Sequence, residues 1–302
     1  MSADLLIVGA GPAGVSAALW AQTLGLSTLV LEAESSAGGQ LHHIHQSLAN
    51  LVGAAGGDGP ALARSVAAQL AESGVGVRYG VAAAGLEPDS PAVRSNVGER
   101  FAASAVLVAT GVRRRRLEVP GERPLEGRGV ASSATQERAR FAGEEVVVAG
   151  GGDGAFENAL LLAEVGCAVT IAVRHAPRAR LEFRRRVAAT SRIEVLEGTR
   201  VTAVLGEERV RAVRLAGARG EFEQPAAGLV VKVGVIPNTE WCAAELECDR
   251  EGYVPVDEQF GTARPRIWAA GYVTRPPLAG IAVALGHGAL AVSAIRAALR
   301  GD

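Results

Sequence analysis

The sequence has 302 residues, 48% of them hydrophobic and 21% charged, with a formal net charge of −1. That length suits about two domains whose cores need no metal or disulfide staples, and the even charge argues against a nucleic-acid binder or a polybasic membrane-surface protein. No apolar run reaches the roughly 18 residues of a membrane span, so no membrane association is expected.

Met1-Ser2-Ala3-Asp4 runs into a strand without the basic opening of a secretory signal, which points to the cytoplasm. Residues 4–8 read as a buried parallel strand, followed by the turn Gly9-Ala10-Gly11-Pro12-Ala13-Gly14, a helix over 15–24 and a second strand over 27–31 that ends at Glu32. Residues 105–111 form a further strand and small-residue turn. Arg113 to Arg116 and Pro120-Gly121 read as a linker.

The opening pattern then repeats. A strand over 145–149 leads into Gly150-Gly151-Gly152-Asp153-Gly154-Ala155, a helix to about 165, and a strand over 168–173 that ends in Arg174-His175. A Gly-rich turn wedged between a buried strand and a helix start is the dinucleotide-binding arrangement. Its glycines let the backbone approach a pyrophosphate, and the helix N-terminus offers unpaired N–H groups. The competing reading, a turn that serves helix–strand packing alone, weighs more for the second copy, which carries Ala155 at the last motif position.

Two such folds imply two dinucleotides, and the residue after each second strand discriminates between them. Glu32 is placed to accept from a ribose diol, whereas Arg174, His175, Arg178 and Arg180 suit a 2′-phosphate, hence NADPH with NADH as the alternative. The basic run continues through Arg184-Arg185-Arg186, so a solvated basic loop stays open as well. Residues 231–238 read as the return linker, 262–271 as another strand and Gly turn, and 278–299 as the last helix. The fold class is therefore α/β, with two Rossmann-like three-layer dinucleotide-binding domains. The inner one (116–235) is inserted into the outer one (1–115 and 236–302).

Cys167, Cys242 and Cys248 are the only cysteines, too few and too scattered for a disulfide framework, and they fit a reducing compartment. The basic residues are nearly all Arg. Lys232 is the single lysine, which reads as compositional bias.

Together with Gly38-Gly39-Gln40, Ala109-Thr110-Gly111, Pro237-Asn238 and Ala269-Ala270-Gly271, the two Gly-rich turns carry a resemblance over nearly the whole chain. It resembles the thioredoxin reductase group of flavoproteins. The resemblance implies FAD in the outer domain, NADPH in the inserted domain, and a homodimer. For FAD it implies Gly9, Gly11, Pro12, Ala13, Gly14, Glu32, Gly39, Gln40, Asn50, Ala83, Thr110, Gly111, Gly271, Tyr272 and Ala279. For NADPH it implies Gly151, Gly152, Asp153, Gly154, Ala155, Arg174, His175 and Arg180. It also implies a last helix whose N-terminus faces the flavin pyrimidine and stabilises its reduced anion.

The sequence departs from that group in three places. Ser133-Ala134-Thr135-Gln136 stands where the group carries a Cys-Ala-Thr-Cys redox pair, and a hydroxyl and an amide cannot cycle between dithiol and disulfide. Cys242 and Cys248 lie after the return linker, away from the usual thiol position, and Cys167 reads as core. Tyr272 replaces an Asp that holds the ribityl chain, and Ala279-Gly280 replaces Arg-Gln before the final helix. His42, His43 and His45 follow Gly39-Gln40. Lacking Cys or acidic partners at ligand spacing, they predict no metal site, and His45 is the candidate for a proton-handling residue at the flavin edge.

The expected activity is hydride transfer from NADPH to FAD and on to an acceptor other than a dithiol on this chain, either ferredoxin or flavodoxin or a small molecule. In lacking the pair the chain is similar to ferredoxin and flavodoxin NADP reductases of the same group. Arg113 to Arg116 reads either as a solvated hinge or as a face for an acidic carrier. The alternative function is a redox-silent nucleotide-binding or sensor protein.

Overall fold

Leu5, Leu6, Ile7 and Val8 are at most 3% exposed, and a strand apolar on both faces belongs inside a parallel sheet covered on both sides. They form β1 (Ala3–Val8) in the computed structural model, which describes residues 3–45, 47–54, 57–218 and 220–301. Met1 and Ser2, on which the expected N-terminal opening partly rests, lie outside the described residues. In chain order there follow α1 (Pro12–Thr23), β2 (Thr28–Glu32), α2 (Gly59–Glu72), β3 (Gly76–Tyr79), β4 (Ala83–Leu86), β5 (Ala92–Ser95), β6 (Arg100–Val108) and β7 (Val112–Arg114). Next come β8 (Val130–Ala131), α3 (Ala134–Phe141), β9 (Glu145–Ala149), α4 (Asp153–Glu164), β10 (Ala168–Val173), α5 (Leu181–Ala188) and β11 (Ile193–Glu197). The chain ends with β12 (Arg200–Leu205), β13 (Ala212–Gly217), β14 (Gly220–Pro225), β15 (Gly228–Val231), β16 (Val235–Pro237), β17 (Ile267–Ala269) and α6 (Ile281–Arg300). It divides into two units, one of Met1–Arg113 with Ile236–Asp302 and one of Arg114–Val235.

In the first unit β3, β2, β1, β6 and β17 are parallel neighbours, with Leu6 opposite Leu29 on one side and Val106 on the other. β4 and β5 extend the sheet antiparallel along the first half of β6. One face packs on α1, α2 and α6, and the other buries Cys242, Leu246 and Val254. α1 and α6 approach so closely that a Cβ on Gly288 would lie 2.1 Å from the Ala13 carbonyl oxygen, which only glycine avoids.

The second unit has a parallel sheet in the order β11-β10-β9-β15-β8. Its one face buries Phe141 of α3, Phe156 and Leu162 of α4 and Val187 of α5. The other is covered by the antiparallel β12-β13-β14 sheet through Val201, Val204, Val213 and Leu215. Each unit is thus a Rossmann-like α/β layer structure.

Several expected boundaries move for local reasons. α1 begins at Pro12 rather than residue 15, because proline at the first helical position has the helical φ built in and no needed donor to lose. α6 begins at Ile281 rather than 278, after Pro276, Pro277 and an extended Gly280 cap. Only Ile267–Ala269 of the 262–271 segment is strand; Arg266 is left-handed (φ 64°), and the Thr262 hydroxyl accepts the Arg264 N–H (3.2 Å) in a turn. Pro120-Gly121 is not linker but packed structure: Val204 donates its N–H to the Pro120 carbonyl (2.8 Å), and a Cβ on Gly121 would meet the Val204 carbonyl at 1.9 Å. The expectation that no segment qualifies as a membrane span is also corrected. By length and composition α6 qualifies, with a mean hydropathy of 1.6. In the fold its Ala284, Gly288, Ala291, Val292 and Ile295 are buried, and it packs against α1.

Candidate functional site

The glycines of the first turn fall into two kinds. Gly9 has φ +105°, and a Cβ there would lie 2.6 Å from the Ala109 carbonyl oxygen; one on Gly14 would lie 1.8 Å from the Gly9 carbonyl oxygen. Both are required by the protein itself. Gly11 caps α1 at an ordinary φ of −70°, and a Cβ there would meet nothing within 4 Å. The room it leaves opens at the N-terminus of α1, where unpaired N–H groups take an anion. A pyrophosphate-bearing cofactor fits that cradle.

The rest of the first unit's set gathers around it in part. Glu32 is 7% exposed, and its two oxygens accept the N–H groups of Ala10 (2.6 Å) and Glu34 (2.9 Å). Each carboxylate oxygen keeps a further acceptor site for a ribose hydroxyl. A Cβ on Gly39 would come within 3.1 Å of Gly11 Cα, which sets Gly39-Gln40 against the turn. Thr110 Cα is equally near the Cβ position of Gly9, at 3.1 Å, and a Cβ on Gly271 would be 2.8 Å from Ala13 Cβ. Thr110 and Gly111 are stitched to Asn238: the Thr110 hydroxyl donates to its carbonyl (2.8 Å), its side-chain amide donates to the Thr110 carbonyl (2.9 Å), and its N–H donates to Gly111 (3.0 Å). Tyr272 follows Gly271, and burial pushes its phenol pKa up, so it is a neutral donor.

Asn50 is exposed on a turn, and Ala83 opens β4 opposite Ser95; no hydrogen bond among the described residues ties either to the cradle. Ala279 is exposed just before α6. His45 is half-buried after the short helical turn Gly39–His43. His42 Nε2 lies 2.9 Å from the Ala37 carbonyl oxygen and is spent there.

The second turn repeats the logic. Gly150 (φ +141°) passes so close to the end of β15 that a Cβ would be 2.3 Å from the Lys232 carbonyl oxygen, and one on Gly151 would be 2.6 Å from a Val173 methyl. Gly152, at φ −98°, again meets nothing within 4 Å, at the N-terminus of α4. Asp153 opens α4, and its carboxylate accepts the N–H (2.7 Å) and the Nε–H (2.6 Å) of Arg180, whose guanidinium also lies 5.0 Å from the Phe183 ring centre. Arg180 thus pairs with Asp153 at the surface, and Arg174 and His175 also stand exposed after β10. Ala155 packs into the core beside Phe156.

At the position of the missing redox pair, Ser133 caps α3 and Gln136 is exposed in its first turn. Asn158, 5% exposed and on the otherwise apolar face of α4, accepts the Ala134 N–H (2.7 Å) and donates to the Gly154 carbonyl (2.7 Å). It ties α3 to the second turn, and nothing in the sequence pattern marks it except a polar residue among Ala155, Ala159 and Leu162. Asn158→Leu is expected to destabilise the protein by about 1–3 kcal/mol, the range for stranding buried polar groups, read as a lower urea midpoint at unchanged m-value.

None of the three thiols is poised for chemistry. Cys167 is fully buried and donates to the Phe141 carbonyl (2.9 Å), and burial raises the pKa values of Cys167, Cys242 and Cys248 alike. The arginine run is partly spent. Arg113 pairs with Glu240 and with Asn238 Oδ1 (2.9 Å), and Arg116 pairs with Glu126 (2.8 Å).

The family described as pyridine nucleotide-disulphide oxidoreductase matches residues 3–290. A thioredoxin reductase of Listeria innocua is 32% identical over 292 residues, 95% of this chain and 91% of that protein. An alkyl hydroperoxide reductase component of Pseudomonas putida is 32% identical over 296 residues, 95% of this chain but 56% of that protein, so the chain spans about half of this relative's length. Among solved structures, the thioredoxin reductase of Lactococcus lactis superposes with a TM-score of 0.85 at 28% identity, covering 100% of both chains.

Proposed function

The chain belongs to the pyridine nucleotide-disulphide oxidoreductase family of flavin-dependent enzymes and is thioredoxin reductase-like, and from that premise we propose that it is an NADPH oxidoreductase that does not pass electrons through a dithiol of its own. The observation that carries this reading is two open Gly-rich cradles in a chain whose redox-pair positions hold Ser133 and Gln136.

When bound, FAD would take hydride from NADPH and release electrons to an acceptor. The residues divide the binding work. Gly9, Gly11, Pro12, Ala13 and Gly14 shape the first cradle, Glu32 offers acceptors to the adenosine ribose, and Gly39, Gln40, Thr110 and Gly271 crowd the same turn. Tyr272 offers a neutral hydroxyl where an acid is usual, and His45, half-buried after the Gly39–His43 turn, is the side chain proposed to move a proton at the flavin edge. Gly151, Gly152, Gly154 and Ala155 shape the second cradle, and Arg174 with His175 offers positive charge to a 2′-phosphate. NADH is the weaker donor on this reading.

The acceptor is ferredoxin, flavodoxin or a small molecule, as in the ferredoxin and flavodoxin NADP reductases that also lack the pair. Three reduced, high-pKa thiols suit a cytoplasmic setting. A homodimer is supported by Trp20 of α1 and Leu290 of α6, which are 48% and 60% exposed on helices that pack together.

The test is anaerobic titration of the purified protein with NADPH. Bleaching of the flavin's visible absorbance at one equivalent, with NADH slower, is the expected result. A flavin that stays oxidised in both titrations sinks the oxidoreductase reading. It would favour the redox-silent alternative, to which Tyr272 in place of the usual acid lends the one specific support.

A further inference from the structure

Lys232, the only lysine of the chain, directly follows β15 and stands on the side of the sheet that faces α4. Val230 packs with Phe156 and Ala159 of α4, whereas Leu229 and Val231 face the opposite cluster. Strand alternation then carries Lys232 to the α4 face. Its Cδ lies 3.9 Å from the Cβ position of Gly154, the second residue of α4, so its aliphatic stem crosses the first helical turn. β9 leads outward to β10 and β11 on one side, and β15 returns on its other side. Lys232 therefore stands at the carboxyl ends of the two strands where the order reverses, which is where doubly wound sheets take ligands.

A second cation stands close by. Arg115 donates its N–H to the Gly234 carbonyl (3.0 Å), which holds Arg114 beside the segment carrying Lys232. Neither side chain has a salt bridge among the described residues. Burial and then the Arg114 charge hold the Lys232 amine down to about 8, with Glu157 of α4 acting the other way, and shielding lowers Arg114 too. The nearby Asp153 is taken by Arg180. A half-buried ammonium beside a guanidinium, with no salt bridge to either among the described residues, is unfavourable by itself, and an anion shared between them offsets that penalty.

We propose that Lys232 is a cofactor-binding residue that, with Arg114, clamps the diphosphate bridge of a pyridine dinucleotide docked at the second Gly-rich turn. The inference rests on the reading of the second unit as the nucleotide domain. The diphosphate is the anion it fits, because a 2′-phosphate belongs with Arg174 and His175 after β10, on the far side of β9.

The test is calorimetric titration of holoprotein, wild type and Lys232→Met, with oxidised NADP⁺, NAD⁺, ADP-ribose and AMP. Lys232→Met is expected to weaken the three diphosphates by a similar factor of about ten- to a hundredfold and to leave AMP unchanged, while retaining its flavin and melting no lower than wild type. In the wild type, NAD⁺ affinity falls as pH rises above about 8, since only the ammonium binds the diphosphate. This dependence disappears in Lys232→Met, and Arg114→Met moves its onset to higher pH. Unchanged diphosphate affinity in Lys232→Met, or a loss confined to ligands carrying nicotinamide, overturns the proposal while leaving the nucleotide domain standing. A wild type that binds none of the four ligands overturns the nucleotide domain, and this proposal with it.

Discussion

Supplied with NADPH and oxidised thioredoxin, the wild-type protein is expected to leave the thioredoxin disulfide intact, with turnover below that of a dithiol relay by on the order of 10⁴-fold or more, as for loss of an essential nucleophile. Exchange of a disulfide needs a thiolate to attack and a second thiol to resolve the mixed disulfide. Ser133 and Gln136 supply neither, because a hydroxyl oxygen forms no reversible two-electron bond with an amide. Cys167, Cys242 and Cys248 do not substitute, since burial keeps all three protonated. The local frame for a pair is nonetheless intact. Ser133 is the extended cap of α3 (φ −153°), and Gln136 lies three residues on in its first turn. A cysteine at a helix N-terminus is acidified by the unpaired N–H groups there. Ser133→Cys/Gln136→Cys should therefore gain two thiols that close to a disulfide in air and reopen with dithiothreitol, counted by alkylation and mass spectrometry. Thioredoxin turnover by the wild type above the no-enzyme rate would refute this account and return attention to Cys248, the least buried thiol.

How much of this was legible in the sequence depends on the range of the signal. β9 and β10 occupy the residues expected for them, because each is a mostly apolar run bounded by glycine or by charge. The antiparallel β12-β13-β14 layer leaves no such mark in the sequence. Charged residues interrupt its alternation, and only the valines and leucines that meet β9 and β15 reveal which face is buried. The position of Glu32 at the end of the second strand is legible in the sequence, but its engagement of the Ala10 and Glu34 N–H groups is tertiary. Arg180 reads as a phosphate ligand from its place after β10, whereas its ion pair with Asp153 is visible only in the fold. Lys232 looked like residue bias, since a strand-end side chain acquires its meaning only from register: one residue's shift would have turned it to the opposite face.

Gly11→Asp is expected to give a folded protein that has lost its flavin, whereas Gly14→Ala is expected not to fold. The two outcomes separate a glycine required by a ligand from one required by the chain. At Gly14 the added Cβ would lie 1.8 Å from a backbone oxygen that cannot give way without opening the β1–α1 turn. At Gly11 the backbone is in an ordinary region and an added Cβ meets no protein atom within 4 Å. Aspartate is, moreover, a better helix cap than glycine, so stability should hold or rise slightly. The same carboxylate would occupy the N–H groups of α1 and put negative charge where a pyrophosphate must dock. Flavin affinity should then fall at least about a hundredfold, some 2.7 kcal/mol. Gly152→Asp is the counterpart: a Cβ there meets no protein atom within 4 Å, and the variant should keep its flavin while losing NADP⁺ binding, measured by calorimetry beside thermal melting. Stoichiometric flavin in purified Gly11→Asp would mean that FAD is not held at the first turn. Loss of both cofactors from Gly152→Asp would mean that the two cradles do not act separately. Retention by each variant of the other's cofactor would assign one dinucleotide to each turn, which the sequence supports through the family resemblance and the contrast between Glu32 and the basic residues from Arg174 to Arg180.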